Sequence, residues 1–181
     1  MSLPKSDTYT TDYIYSLPDG QRAELIDGVV YDMAPPNRIH QKLISKLNYT
    51  IADYIDKHNG SCEVYPAPFA VFLNEDDKTY VEPDISVICD KSKLTEAGCN
   101  GAPDFIIEVA SPGSRKLDYG KKMILYSDAG VREYWIVDPS RERTTVYRFD
   151  EDAAPILFPF DQGIIVGIYG DLQINIAEFL A

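Results

Sequence analysis

Apolar positions recur along the chain with two different periods, and glycine, proline and asparagine mark where one period gives way to the other. Over residues 38–58, Leu43, Ile44, Leu47, Ile51, Tyr54 and Ile55 fall at helical spacing, with Asn37 placed to cap the helix and Asn59-Gly60 to end it. A second long helix is predicted over 116–129, closed by Gly130, and a short one over 8–17, stopped by Pro18-Asp19-Gly20. Strand-like runs flank the turn signal Asp27-Gly28, at 22–26 and 29–33, and predict a hairpin. Further strands are expected at 62–65, 69–73, 80–89, 104–110, 133–137 and 144–149, with one or two more near 163–168 and a short amphipathic end over 174–180. The pattern predicts one domain, residues 1–181, of mixed helix and sheet with two main helices.

Composition narrows this reading. Hydrophobic residues make up 45% and charged residues 25%, ordinary globular usage. No stretch approaches the roughly 20 apolar residues of a spanning helix, so no membrane role is expected. The segment Met-Ser-Leu-Pro-Lys-Ser-Asp lacks the apolar run of a signal peptide, which points to a cytoplasmic protein. Cys62, Cys89 and Cys99 are odd in number and show no C-x-x-C spacing, which argues against a disulfide framework or a zinc site. The net charge of −12 weighs against tight, non-specific binding to nucleic acid, although a local basic patch can persist on an acidic surface.

Candidate chemistry centres on two segments, Glu82-Pro83-Asp84-Ile85-Ser86 and Asp104-Phe105-Ile106-Ile107-Glu108-Val109. Side chains alternate along a strand, so Glu82, Asp84 and Ser86 are expected on one face, and Asp104, Ile106 and Glu108 on one face of the other. A carboxylate inside an apolar run is costly to bury unless it is paired or bound to metal. Placing the two strands side by side would bring Asp84 and Glu108 together, and Mg²⁺ relieves their repulsion because it prefers carboxylate oxygens and water. The bland alternative is an edge acid or an arginine partner. In the following helix Lys122 lies on the stripe of Tyr119, Tyr126 and Ala129, whereas Lys121 lies nearer Leu125 and Asp128; the simple alternative for Lys122 is an ion pair with Asp118 at i,i+4.

Several motifs in order then carry a resemblance. They are Glu24-Leu25-Ile26-Asp27-Gly28; Met33-Ala34-Pro35-Pro36 with His40; Pro83-Asp84-Ile85-Ser86-Val87; Pro103 to Pro112 around Glu108; Asp118 with Lys122 and Tyr126; and Gly130 to Asp138. Together they resemble the Uma-two family of restriction-endonuclease-like proteins, within the PD-(D/E)XK nuclease superfamily. The resemblance implies an α/β (α+β) fold with a restriction-endonuclease-like central mixed β-sheet flanked by helices. It also implies a Mg²⁺-dependent nuclease, with Mn²⁺ as a substitute, acting on nucleic acid and specifically DNA, with a homodimer as a further analogy. Asp84, Glu108 and the main-chain carbonyl of Val109 would hold the metal. The superfamily pattern places lysine two residues after the glutamate, where this chain has Ala110, and the role passes to Lys122. Glu24 resembles the extra acid such nucleases draw from their N-terminal part; its alternative is an exposed hairpin residue.

Other residues keep two readings. His40, on the helical stripe of Leu43, Ile44 and Leu47, reads as a packed core histidine ahead of a substrate contact. Glu82 either tunes the site or faces solvent. Arg115, Lys116, Lys121 and Arg132 would form a basic rim or scattered surface charge. The opposing functional hypothesis is a catalytically silent binding module on the same fold, which Ala110 and the acidic charge favour. There is no phosphate-cradling glycine loop, nucleophile elbow or H-E-x-x-H helix.

Overall fold

The computed structural model describes residues 8–151 and 153–181. The segment Met-Ser-Leu-Pro-Lys-Ser-Asp, used above in the argument about export, lies outside the described residues.

A short helix, α1 (Thr11–Tyr15), leads into a hairpin of β1 (Ala23–Ile26) and β2 (Val29–Asp32). Asp27 and Gly28 turn it with φ of 52° and 75°, the positive pair a tight hairpin needs. Then comes α2 (Arg38–Lys57), whose cap residue Asn37 accepts a hydrogen bond from the His40 N–H at 2.9 Å. The strands β3 (Glu63–Pro66), β4 (Val71–Phe72), β5 (Ile85–Ile88), β6 (Leu94–Thr95), β7 (Gly98–Asn100) and β8 (Phe105–Val109) follow. An interrupted helix comes next: α3 (Arg115–Leu117), a π-helical segment (Asp118–Lys122) and α4 (Met123–Ala129). The chain closes with β9 (Glu133–Asp138), β10 (Arg143–Arg148), β11 (Ile156–Pro159), β12 (Ile164–Ile165), β13 (Gln173–Ile174) and α5 (Ile176–Leu180).

Among the described residues the largest sheet has six strands in the order β11-β10-β9-β8-β5-β3, mixed because β8 and β9 run parallel. α2 lays Leu43, Leu47 and Ile51 against Ile85, Val87, Phe105 and Ile107 on one face of this sheet. Five side chains of α2 are buried there, on the order of 10 kcal/mol of gross hydrophobic gain. The opposite face packs Ile88, Ile106 and Ile136 against Ile26 of the hairpin and Tyr126 of α4. The result is the mixed sheet flanked by helices that the resemblance implied.

Three local differences have physical causes. The stretch 80–89 is not one strand: Pro83 offers no N–H to a ladder, and β5 begins only at Ile85, which leaves Asp84 just ahead of it. The helix expected over 116–129 carries a π-turn, which shifts its phase. Its buried polar stripe therefore runs through Asp118, Lys122 and Tyr126, with Tyr119 only half-buried. Cys62 and Cys89 are joined by a disulfide, which corrects the expectation of unpaired thiols. Glu63 pairs with Ile88 in the β3–β5 ladder, so the two cysteines face each other one step beyond its end; the 27-residue separation conceals this adjacency in the sequence. Cys99 is free and buried. Among the described residues no helix is long and apolar enough to cross a membrane.

Candidate active site

The strands β5 and β8 are antiparallel neighbours, and the register ends with Ile85 opposite Ile107. Beyond that pair the ladder gives way to side chains. The Val109 N–H donates to Asp84 Oδ2 at 2.7 Å, and the Asp84 N–H approaches Glu108 Oε2 at 3.4 Å. The two carboxylates thus meet at the end of the ladder, each held by the other strand's backbone. In a strand the N–H and C=O of one residue point the same way, so the Val109 carbonyl is turned toward Asp84.

The hairpin supplies Glu24. β1 is clamped to the chain before β5 by reciprocal bonds between Leu25 and Tyr80, at 2.7 and 2.8 Å. Glu24 Oε1 there accepts from the Glu82 N–H at 3.0 Å. The Lys122 ammonium lies between the hairpin and the sheet, 2.7 Å from Glu24 Oε2 and 2.8 Å from Glu108 Oε1. Tyr126, one turn on, donates its hydroxyl to the same Glu108 oxygen at 2.9 Å. From the other side of the sheet His40 brings Nε2 to 3.2 Å from Asp84 Oδ2. Glu24, Asp84, Glu108 and Lys122 are 3%, 8%, 4% and 4% exposed, so their charges interact with little water between them.

The electrostatics follow from this enclosure. Burial pushes the Glu108 carboxyl well above its usual range; Lys122 opposes that, and Asp84, Asp118 and Glu24 add to it. Burial alone would lower the Lys122 ammonium, yet Glu108, Glu24 and Asp118 outweigh it and hold the lysine charged. Asp118 is raised to about 6, first by burial and then by Glu24 and Asp84, against the pull of Lys122 and the Ser114 hydroxyl. Four carboxylates face one lysine and one histidine, a pocket with surplus negative charge.

That surplus is what a divalent cation neutralises. Among the described residues no three His, Cys, Asp or Glu side chains converge as a ready cage, because the lysine stands between two of the acids. Mg²⁺, however, is typically held by one or two carboxylates with water and substrate oxygens completing its shell. Asp84, Glu108 and the Val109 carbonyl fit such a donor set.

The four side chains singled out from the sequence, Glu24, Asp84, Glu108 and Lys122, are therefore brought together, and Val109 with them. The local Asp118 pair is not the principal bond of Lys122, and Lys121 is exposed, its ammonium 5.5 Å from the Tyr31 ring centre. His40 contacts Asp84 and is not a packed core histidine. Glu82 binds Arg22 and accepts from the Tyr80 hydroxyl at 2.6 Å, so it does not face solvent. Asp104 serves structure, its Oδ2 accepting from the Cys89 N–H at 2.8 Å. Of the expected basic rim the two arginines are neutralised: Arg115 binds Asp138 at 2.8 Å, and Arg132 reaches Asp150 at 3.3 Å. Tyr126 and Asp118 join the site as well, and their i,i+4 spacing about Lys122 marks one buried stripe in the sequence.

The sequence matches the Uma2 family, described as "Putative restriction endonuclease", over residues 10–174. An uncharacterized protein of Synechocystis sp., slr1290, is 24% identical over 133 residues, 73% of this chain and 68% of that protein. The fold is shared with a crystal structure from Anabaena variabilis ATCC 29413, described as a putative nuclease belonging to DUF820. The TM-score is 0.76 at 22% identity, covering 94% of this chain and 96% of that one.

Proposed function

Because this chain belongs to the Uma2 family of restriction-endonuclease-like nucleases, we propose that it hydrolyses phosphodiester bonds in DNA, with Mg²⁺ or Mn²⁺ held at Asp84, Glu108 and the Val109 carbonyl. The observation that carries this reading is the buried constellation itself, in which Lys122 bridges Glu24 and Glu108 while Asp84 closes on Glu108 across the strand ends.

A divalent ion supplies Lewis acidity at such a site, polarising the scissile phosphate and acidifying water. The chain's own residues prepare the place for it. Tyr126 and Lys122 fix the orientation of Glu108, and the Val109 N–H and His40 fix that of Asp84. Lys122 keeps a positive charge within reach of these carboxylates, where it orients the attacking water and balances charge developing on the phosphate. The position of Ala110, two residues after Glu108, is thereby compensated from the helix. Glu24 holds the lysine from the hairpin side. Cleavage of both strands fits a homodimer by analogy with restriction-type nucleases.

A second reading, a binding module without turnover, draws on the same geometry, since Lys122 already satisfies two acids without metal. Supercoiled plasmid at low salt with Mn²⁺ or Mg²⁺ separates them. Nicking or linearisation by the wild type, lost in Asp84→Ala, Glu108→Ala and Lys122→Ala, supports the nuclease. DNA retention without cleavage under all metal conditions supports the binding module.

A further inference from the structure

The chain has 29 acidic residues in 181, yet residues 33–52 contain neither Asp nor Glu, the longest such run in the sequence. That run builds the first turns of α2, and it carries Arg38, Lys42 and Lys46 at four-residue spacing. On a 3.6-residue helix these three share one side with Gln41, Ser45 and Tyr49, opposite the buried stripe of Leu43, Leu47 and Ile51. Arg38, Gln41, Ser45, Lys46 and Tyr49 are exposed, Tyr49 at 68%. Lys42 is half-buried and donates to the Ala181 main-chain oxygen at 3.1 Å.

Several cations elsewhere are matched by acids, as in Arg22 with Glu82, Lys91 with Glu63 and Arg148 with Glu151. Among the described residues no side-chain carboxylate pairs with Arg38, Lys42 or Lys46. Beyond Tyr49 the face turns acidic at Asp53, which pairs with Lys57. The basic track is thus bounded, running about 17 Å from Arg38 to Tyr49 at ~1.5 Å per residue. It begins at the positive end of the helix dipole. Its first turn also carries His40, which points the other way, onto Asp84 at 3.2 Å.

We infer that this outer face of α2 is the surface that grips the phosphodiester backbone of the substrate where it leaves the carboxylate site. The inference rests on the nuclease reading and adds the docking surface. The partner is fixed by charge complementarity: on a molecule of net charge −12, three cations on an acid-free helix face suit a polyanion. Tyr49 at the far end offers a ring for a sugar or an unstacked base. A track of about 17 Å spans roughly five nucleotides at ~3.4 Å per step along a strand, so substrate must extend about that far to one side of the scissile bond.

The test is fluorescence anisotropy of a labelled 20-base-pair duplex with EDTA present, titrated at several salt concentrations, so that binding is read apart from metal chemistry. The variant R38Q/K42Q/K46Q is compared with K57Q/K91Q/R141Q, which changes net charge equally at cations paired elsewhere; circular dichroism checks that both fold. The α2 variant should bind at least tenfold more weakly, with the slope of log affinity against log salt reduced by about two to three. The control should stay within about threefold of wild type. Equal binding by wild type and the α2 variant, with cleavage intact, overturns the docking surface and leaves the nuclease standing. A wild type that neither binds nor cuts any nucleic acid removes both. Loss of binding to phosphatidylserine vesicles, or dissociation of a dimer, in the α2 variant without change in DNA affinity reassigns the face to a membrane or a second copy and overturns the inference.

Discussion

At the scale of single residues, the centre of the molecule is a lysine whose charge is needed by two acids. Removing it in Lys122→Met leaves Glu24 and Glu108 buried without their cation, a loss of about 3–5 kcal/mol. Urea unfolding in EDTA should show that loss, Mn²⁺ should recover part of it, and cleavage should fall at least ~100-fold. Asp118 gives a pH signature. Its folded value near 6 lies above the ordinary 3.8, so below about pH 4 both states are protonated and there is no difference. Between about pH 4 and 6 the unfolded chain releases the proton while the folded chain keeps it. Stability therefore falls as pH rises through that window and stays lower above it, by on the order of 2–3 kcal/mol. Asp118→Asn should abolish this component, seen as a difference between wild type and variant in metal-free unfolding at pH 4, 5, 6 and 7. An unchanged slope would mean that Asp118 titrates normally.

At the scale of elements, the sequence was most informative where one principle acted alone. The spacing of Leu43, Leu47 and Ile51 with the Asn37 cap predicted α2 to within a residue, and Asp27-Gly28 placed the hairpin. The alternation in 104–110 correctly divided Glu108 from Phe105 and Ile107, whose faces are now seen on opposite layers. What escaped was set by competition. Pro83 ended a strand that hydrophobicity alone would have carried from 80, and a π-turn containing Gly120 interrupted a helix whose apolar spacing reads as regular. The Cys62–Cys89 adjacency needed the β3–β5 register. That link predicts one titratable thiol in unreduced, denatured protein and three after reduction. Closing a loop of 27 residues, it should contribute about 3 kcal/mol, measured as the stability lost in Cys62→Ala/Cys89→Ala. At the helix start, Asn37→Ala should cost about 1 kcal/mol and Asn37→Asp much less.

At the scale of the whole molecule, the sheet brings together what the sequence only suggested. Which carboxylates would share a site was legible from an acid within each of two apolar segments; that His40 would cross the strand ends to Asp84, and that the rim arginines would be neutralised by Asp138 and Asp150, depended on packing across distant segments. The surplus of buried negative charge predicts a metal effect on global stability. At a metal concentration of 100 times Kd the gain is about 2.7 kcal/mol, or roughly 5–10 °C in Tm for a chain of this size. Differential scanning fluorimetry with Mg²⁺ or Mn²⁺ should show that rise in the wild type and none in Asp84→Ala.

The bond from Lys122 to Glu24 spans 98 positions of sequence, and the approach of Asp84 to Glu108 spans 24. Neither the hairpin nor the helix holds more than a fraction of the reactive centre. An incomplete chain emerging from the ribosome, or a fragment cut by a protease between the two, therefore carries acids without their lysine or the lysine without its acids. On the proposed nuclease reading such pieces would be unable to cleave, and activity would arise only with the last long-range closure of the fold.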